Sequence, residues 1–174
     1  MYAIIRDGAI AEIVPSLPGG LEDGAFLPVT EAMEPAALIL VDGALAEDPA
    51  ILSDILAARV DALRSEVAAD LTNIQRSRVY DIKAAELAAY RAAGEEPDPE
   101  DYPLGAARAA SLDRTLAQEM DAVEAAIALN NARLVAVEGL ADATIAAIAV
   151  AGSAAAMRAA YDAADWDAAR SVGP

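Results

Sequence analysis

Residues 48–94 read DPAILSDILAARVDALRSEVAADLTNIQRSRVYDIKAAELAAYRAAG, and this stretch decides the fold. Asp48-Pro49 is a helix start, because an Asp side chain accepts a first-turn N–H and Pro at the next position lacks only a hydrogen that would go unused. Gly94 suits the left-handed residue that ends a helix, and Pro97 and Pro99 block a restart. Nothing between these marks is Gly or Pro, so the spacing predicts one helix of roughly 65–70 Å at 1.5 Å per residue. Its apolar series runs Leu52, Leu56, Val60, Leu63, Val67, Leu71, Ile74, Arg78, Ile82, Ala85, Ala89, Ala93. From Val60 the steps are 3-4-4, an eleven-residue repeat close to the pitch of a straight helix. A stripe that long needs a comparably long helical partner. The partner is either a second helix of the same chain, folded back as an antiparallel hairpin, or a copy of the chain meeting it at an intersubunit seam.

The 174 residues suffice for one domain or two small ones. Hydrophobic residues make up 56%, yet aromatics are only 4% and alanine dominates, so helix propensity is high and buried area per residue is low. A thin core of this kind gains stability from length and from association. A net charge of −17 argues against nucleic acid and against anionic membrane surfaces, since no basic patch is present to displace counterions. The apolar run from Ala143 to Met157 falls short of the ~20 residues a bilayer requires, so no membrane insertion is expected. The N-terminus lacks the pattern of a signal peptide.

The first 47 residues form a separate compositional block. Tyr2–Arg6 and Ala9–Val14 flank Asp7-Gly8, a strong signal for a two-residue hairpin. Pro15–Gly20 reads as a loop, and Ala25–Thr30 as an extended segment. Ala36–Val41, Asp42-Gly43 and Ala44–Ala46 repeat the hairpin design. Two hairpins make a sheet too small to stand alone, so the module must pack on the start of the long helix or on another subunit.

Beyond the long helix, residues 95–103 are acidic and proline-rich. Their spacing does not match a calcium-binding EF-hand loop, and a solvated connection is the expectation. A second helix is predicted over Leu104–Glu138, with Leu112, Leu116, Met120, Val123, Ile127, Leu134 and Val137 on its apolar face. Placing Ile127 and Leu134 at a positions of a heptad puts Asn130 and Val137 at d. Asn130 either sets register and oligomer state from inside a seam or faces solvent at a weak point. Gly139 and Gly152 delimit a short helix over Leu140–Ala151, and Ser153 caps a last helix that carries Met157, Tyr161 and Trp166 and stops near Gly173. Trp166, the lone tryptophan, either anchors a partner or pins its own helix to the bundle.

The chain contains neither Cys nor His, which removes disulfides, Cys/His zinc sites, and thiol or imidazole catalysis. No P-loop, G-x-G-x-x-G or G-x-S-x-G occurs, and the carboxylates scatter over helix faces without a distinguished pair. No enzymatic activity and no cofactor or metal is expected. The fold class predicted is mainly α with a small N-terminal β module, arranged as a long-helix bundle or coiled coil and oligomeric. The seam residues are Leu56, Val60, Leu63, Val67, Leu71, Ile74 and Ile82 on the first helix and Ile127, Asn130 and Leu134 on the second.

The opening Met1-Tyr2-Ala3-Ile4-Ile5-Arg6-Asp7-Gly8-Ala9-Ile10-Ala11-Glu12-Ile13-Val14, followed by a Pro/Gly loop and a second Asp-Gly hairpin, resembles small bacteriophage tail proteins of the tail-fibre accessory and assembly type. The resemblance covers the first 48 residues as a pattern and the helices in style. It implies a structural role in a tail or tail fibre, with the β module as attachment point and the helices as a homotrimeric stalk or bundle bound to other tail or baseplate proteins. The location it implies is the virion tail, reached from the host cytoplasm during assembly. An assembly chaperone and a cellular coiled-coil adaptor are the alternative readings.

Overall fold

The structure, a computed structural model, describes residues 1–16, 26–71, 74–94 and 97–172, with residues 74–77 described by their backbone alone. The fold is mainly α with a small N-terminal antiparallel β module, as the hydropathy pattern predicts. Two compact units divide the chain. The first comprises Met1–Ala62 with Asp142–Ala164, the second Leu63–Ala141 with Asp165–Pro174.

In the first unit, β1 (Tyr2–Arg6) pairs antiparallel with β2 (Ala9–Val14) around Asp7-Gly8. Asp7 at φ 51° and Gly8 at φ 75° supply the two left-handed residues that a tight, correctly twisted hairpin needs. A bulge between Ile4 and Ile5 shifts the register. Strand β3 (Phe26–Pro28) joins the free side of β1 and brings Phe26 edge-on to Tyr2, giving the order β2-β1-β3. The second Asp-Gly pair builds a separate two-stranded sheet from β4 (Leu38–Val41) and β5 (Ala44–Glu47), again with both turn residues at positive φ. The loop expected over Pro15–Gly20 lies mostly outside the described residues, as does Ala25.

Helix α1 (Pro49–Leu71) starts where the sequence places it: Asp48 Oδ1 accepts from the N–H groups of Ala50 at 2.8 Å and Ile51 at 3.3 Å. Its inner face is Leu52, Leu56 and Val60, all buried in the first unit, and this face continues through Leu63, Val67 and Leu71 in the second. Helix α2 (Ile74–Ala93) follows, and the continuity of one long helix through residues 72–73 lies outside the described residues.

The span expected as a single helix over Leu104–Glu138 is two helices, α3 (Pro103–Ser111) and α4 (Leu116–Val150). Asp113, between the two helices, adopts φ 52°, a conformation Asp tolerates better than most residues. Thr115 then opens α4 with a reciprocal cap. Its Oγ1 accepts from the Gln118 N–H at 3.2 Å, while Gln118 Oε1 accepts from the Thr115 N–H at 2.9 Å. Gly139 does not end this helix. It sits inside α4 with open space where a Cβ would stand, and a single interior Gly costs only about 1 kcal/mol, which 35 residues of helix absorb. The separate helix expected from Leu140 is therefore the last part of α4.

Along α4 one line of covered positions runs Met120, Val123, Ile127, Asn130, Leu134, Val137, Ala141, Thr144 and Ile148 in 3-4 alternation. Asn130 thus lies within the covered seam, half-buried. The predicted last helix also divides in two. Ser153 caps α5 (Ala154–Asp162), accepting from the Ala156 N–H, and Asp165 caps α6 (Trp166–Arg170), accepting from the Ala168 N–H at 2.8 Å. The expected stop near Gly173 lies outside the described residues.

Candidate functional site

The second unit is built around an antiparallel meeting of helices. Arg64 of α1 reaches Glu138 of α4 at 3.5 Å, and Arg91 of α2 reaches Asp121 and Glu124, both at 2.6 Å. As the chain ascends from 64 to 91, its partners on α4 descend from 138 to 121. Val67, Val137 and Ala169 form a buried cluster here, with Leu71, Ala136, Leu140 and Trp166 packed against it. Trp166, half-buried, thus packs α6 against the helices that the cluster joins.

The expected seam residues separate by helix. Leu56, Val60 and Val67 are buried by their own chain, and Leu63 and Leu71 are half-buried. Ile127, Asn130 and Leu134 are half-covered in the same way. The side chain of Ile74 lies outside the described residues. Ile82, in contrast, is 51% exposed, and Arg78, Ala85, Ala89 and Ala93 are exposed with it. On α2 the face turned inward is Lys83, Glu86, Leu87 and Tyr90. The physical reason is size: an alanine-lined stripe offers little area to bury, and Leu87 and Tyr90 offer more. Tyr90 meets the ring of buried Tyr102 edge-on at 5.6 Å.

Glu86 fixes the next element. Its carboxylate accepts from the Leu104 N–H at 3.0 Å and the Gly105 N–H at 2.8 Å, so a side chain of α2 caps the first turn of α3. Pro103 at the first helical position needs no partner. Gly105 keeps this contact close, since a Cβ there would stand 2.5 Å from Met120 Cε and 3.3 Å from a Glu86 oxygen.

With α3 held against α2, a cleft of about 170 Å³ opens among α2, the end of α3, the α3–α4 turn and α4. Tyr80 and Lys83 line it from α2, and Arg108, Leu112 and Arg114 from α3 and the turn. Glu119 of α4 lines it too, 4% exposed, and meets Arg114 at 3.2 Å. No ion pair is formed by Lys83 or Arg108 among the described residues. Three cations against one carboxylate leave an excess of positive charge in a chain whose net charge is −17. Because Glu119 already holds a guanidinium, the cleft presents cationic donors rather than an unengaged base.

Neither protein-family models nor curated proteins nor solved structures include a match to this chain. No helix among the described residues is long and apolar enough to cross a membrane. The cleft was not legible as a site in the sequence, because Lys83, Arg108 and Arg114 are each separated by several residues without a motif. One local signal was present: Thr115-x-x-Gln118 is a capping box, and it marks the start of α4 beside Arg114.

Proposed function

We propose that this chain is a structural component of a bacteriophage tail or tail fibre, with the N-terminal β module as its attachment point and the helices as its body. The observation that supports this most is the module itself. Two Asp-Gly hairpins are held in the same unit as the start of α1 and α5, and β5 is tied to α5 through Glu47 and Arg158. A small sheet of this kind is marginal alone, and a side-chain clamp to a helix makes it a firm base for a partner. Copies of the chain associate, in this reading, through the exposed face of α2 centred on Ile82, as a homotrimer. Catalysis forms no part of the role.

Quantitative mass spectrometry of purified tail particles tests the assignment, with a fixed copy number per particle expected. Sedimentation of the isolated chain tests the trimer, which requires three times 17.8 kDa. A second reading, a fibre-assembly chaperone that leaves the finished particle, draws support from Leu52, Leu56, Val60 and Val67. Their burial within one chain makes that helix independent of a permanent partner. Presence during assembly with absence from finished particles distinguishes it.

A further inference from the structure

We propose that the cleft lined by Lys83, Arg108 and Arg114 binds a small oxyanion of the phosphate class. Three features carry this. Lys83 and Arg108 come from different helices, converge on one cavity of about 170 Å³, and have no carboxylate partner among the described residues. Other arginines of this acidic chain are ion-paired: Arg59 with Glu34, Arg64 with Glu138, Arg91 with Asp121 and Glu124, and Arg158 with Glu47. Lys83 and Arg108 share their cleft with a single carboxylate, Glu119, in a chain rich in carboxylates.

The third feature is the arrangement of donors. Arg114 is oriented by Glu119, which is itself nearly buried, so its guanidinium is held by a fixed anchor. Lys83 supplies a point charge and Arg108 a planar fork, a combination suited to an oxyanion with several acceptor oxygens. Tyr80 and Leu112 add an aromatic ring and an aliphatic side chain to the rim, where an organic substituent of a phosphomonoester would lie. The distant negative charges do not defeat binding at ordinary ionic strength, because interactions beyond ~10 Å are largely screened at 0.1 M salt. The bound anion would bridge α2 to the α3–α4 turn and stabilise the second unit by linkage.

Isothermal titration of the full chain with inorganic phosphate and, separately, phenyl phosphate at matched ionic strength tests the proposal. One-to-one binding is expected. The double variant Lys83→Gln/Arg108→Gln should bind roughly tenfold more weakly or worse, the scale for losing charge-assisted contacts, with its circular dichroism unchanged. Glu119→Gln removes the one carboxylate of the cleft and should bind more tightly than the wild type. Tighter binding of phenyl phosphate identifies a phosphomonoester as the ligand type, and tighter binding of inorganic phosphate identifies the free ion. Absence of binding to the wild type, or equal affinity in the double variant, overturns the proposal.

Discussion

Arg158 of α5 grips Glu47 at the end of β5 with both terminal guanidinium nitrogens, joining residues 111 positions apart in the sequence. The Glu34 N–H donates to the same carboxylate at 2.6 Å, and Glu34 in turn holds Arg59 of α1. Strand β5 and helices α1 and α5 are thereby tied through two carboxylates, Glu34 and the nearly buried Glu47, 6% exposed at its side chain. Removing Arg158 would leave that charge without its partner. Arg158→Ala is expected to destabilise the first unit by roughly 2–3 kcal/mol, read from urea denaturation. Arg158→Lys should recover part of the loss, because a point charge cannot reproduce the bidentate contact.

The same pair sets an acid limit. Hydrogen bonds from Arg158 hold the Glu47 carboxyl below the usual carboxylate range; burial opposes this, and the Glu34 N–H and the Arg158 charge assist it. A depressed folded pKa means that the unfolded chain binds a proton more readily, so the contribution is complete above the unfolded value. It is lost as pH falls through the folded one. Thermal melts should therefore show stability declining from about pH 4 downward. Glu47→Gln should flatten that decline while lowering stability at neutral pH.

Leu56 and Ile82 belong to one predicted stripe but to opposite environments. Leu56→Asp puts a charge into a buried site and should unfold the first unit. Ile82→Asp should leave helicity intact and, where copies meet on α2, convert the oligomer to monomer in sedimentation equilibrium. An oligomer that survives Ile82→Asp would remove α2 as the contact face.

Gly139→Ala should stabilise α4. A Cβ there meets nothing within 4 Å, and replacing an interior helical Gly by Ala gains about 1 kcal/mol. The rise should appear in the thermal midpoint followed by Trp166 fluorescence, since Trp166 packs on the cluster that includes Val137.

Glu86→Ala should loosen α3. Two first-turn N–H groups lose their acceptor, at a cost of about 1–2 kcal/mol. Hydrogen exchange at Leu104 and Gly105 should accelerate ahead of the rest of the second unit.

Much of the local architecture was written in the sequence. Asp7-Gly8 and Asp42-Gly43 set both hairpins, Asp48-Pro49 started α1, and Ser153 capped α5, because each depends on groups within a few residues of one another. The heptad through Ile127, Asn130, Leu134 and Val137 was legible for the same reason: a repeat along one helix needs no knowledge of what covers it. Gly139 misled, since an interior glycine lowers helix propensity without forbidding a helix that packing supports.

Tertiary structure alone decided the rest. Whether the α1 stripe met its own chain or a copy, and which face of α2 turned inward, depended on competition among Leu87, Tyr90 and a run of alanines for limited area. The capping of α3 by Glu86, the Glu47–Arg158 clamp and the cleft shared by Lys83 and Arg108 bring together residues far apart along the chain. Such pairs carry no periodic or nearest-neighbour signature. Local hydrogen bonding and side-chain spacing specify helices and turns, whereas long-range contacts are chosen only when the whole chain minimises exposed apolar area and unpaired charge together.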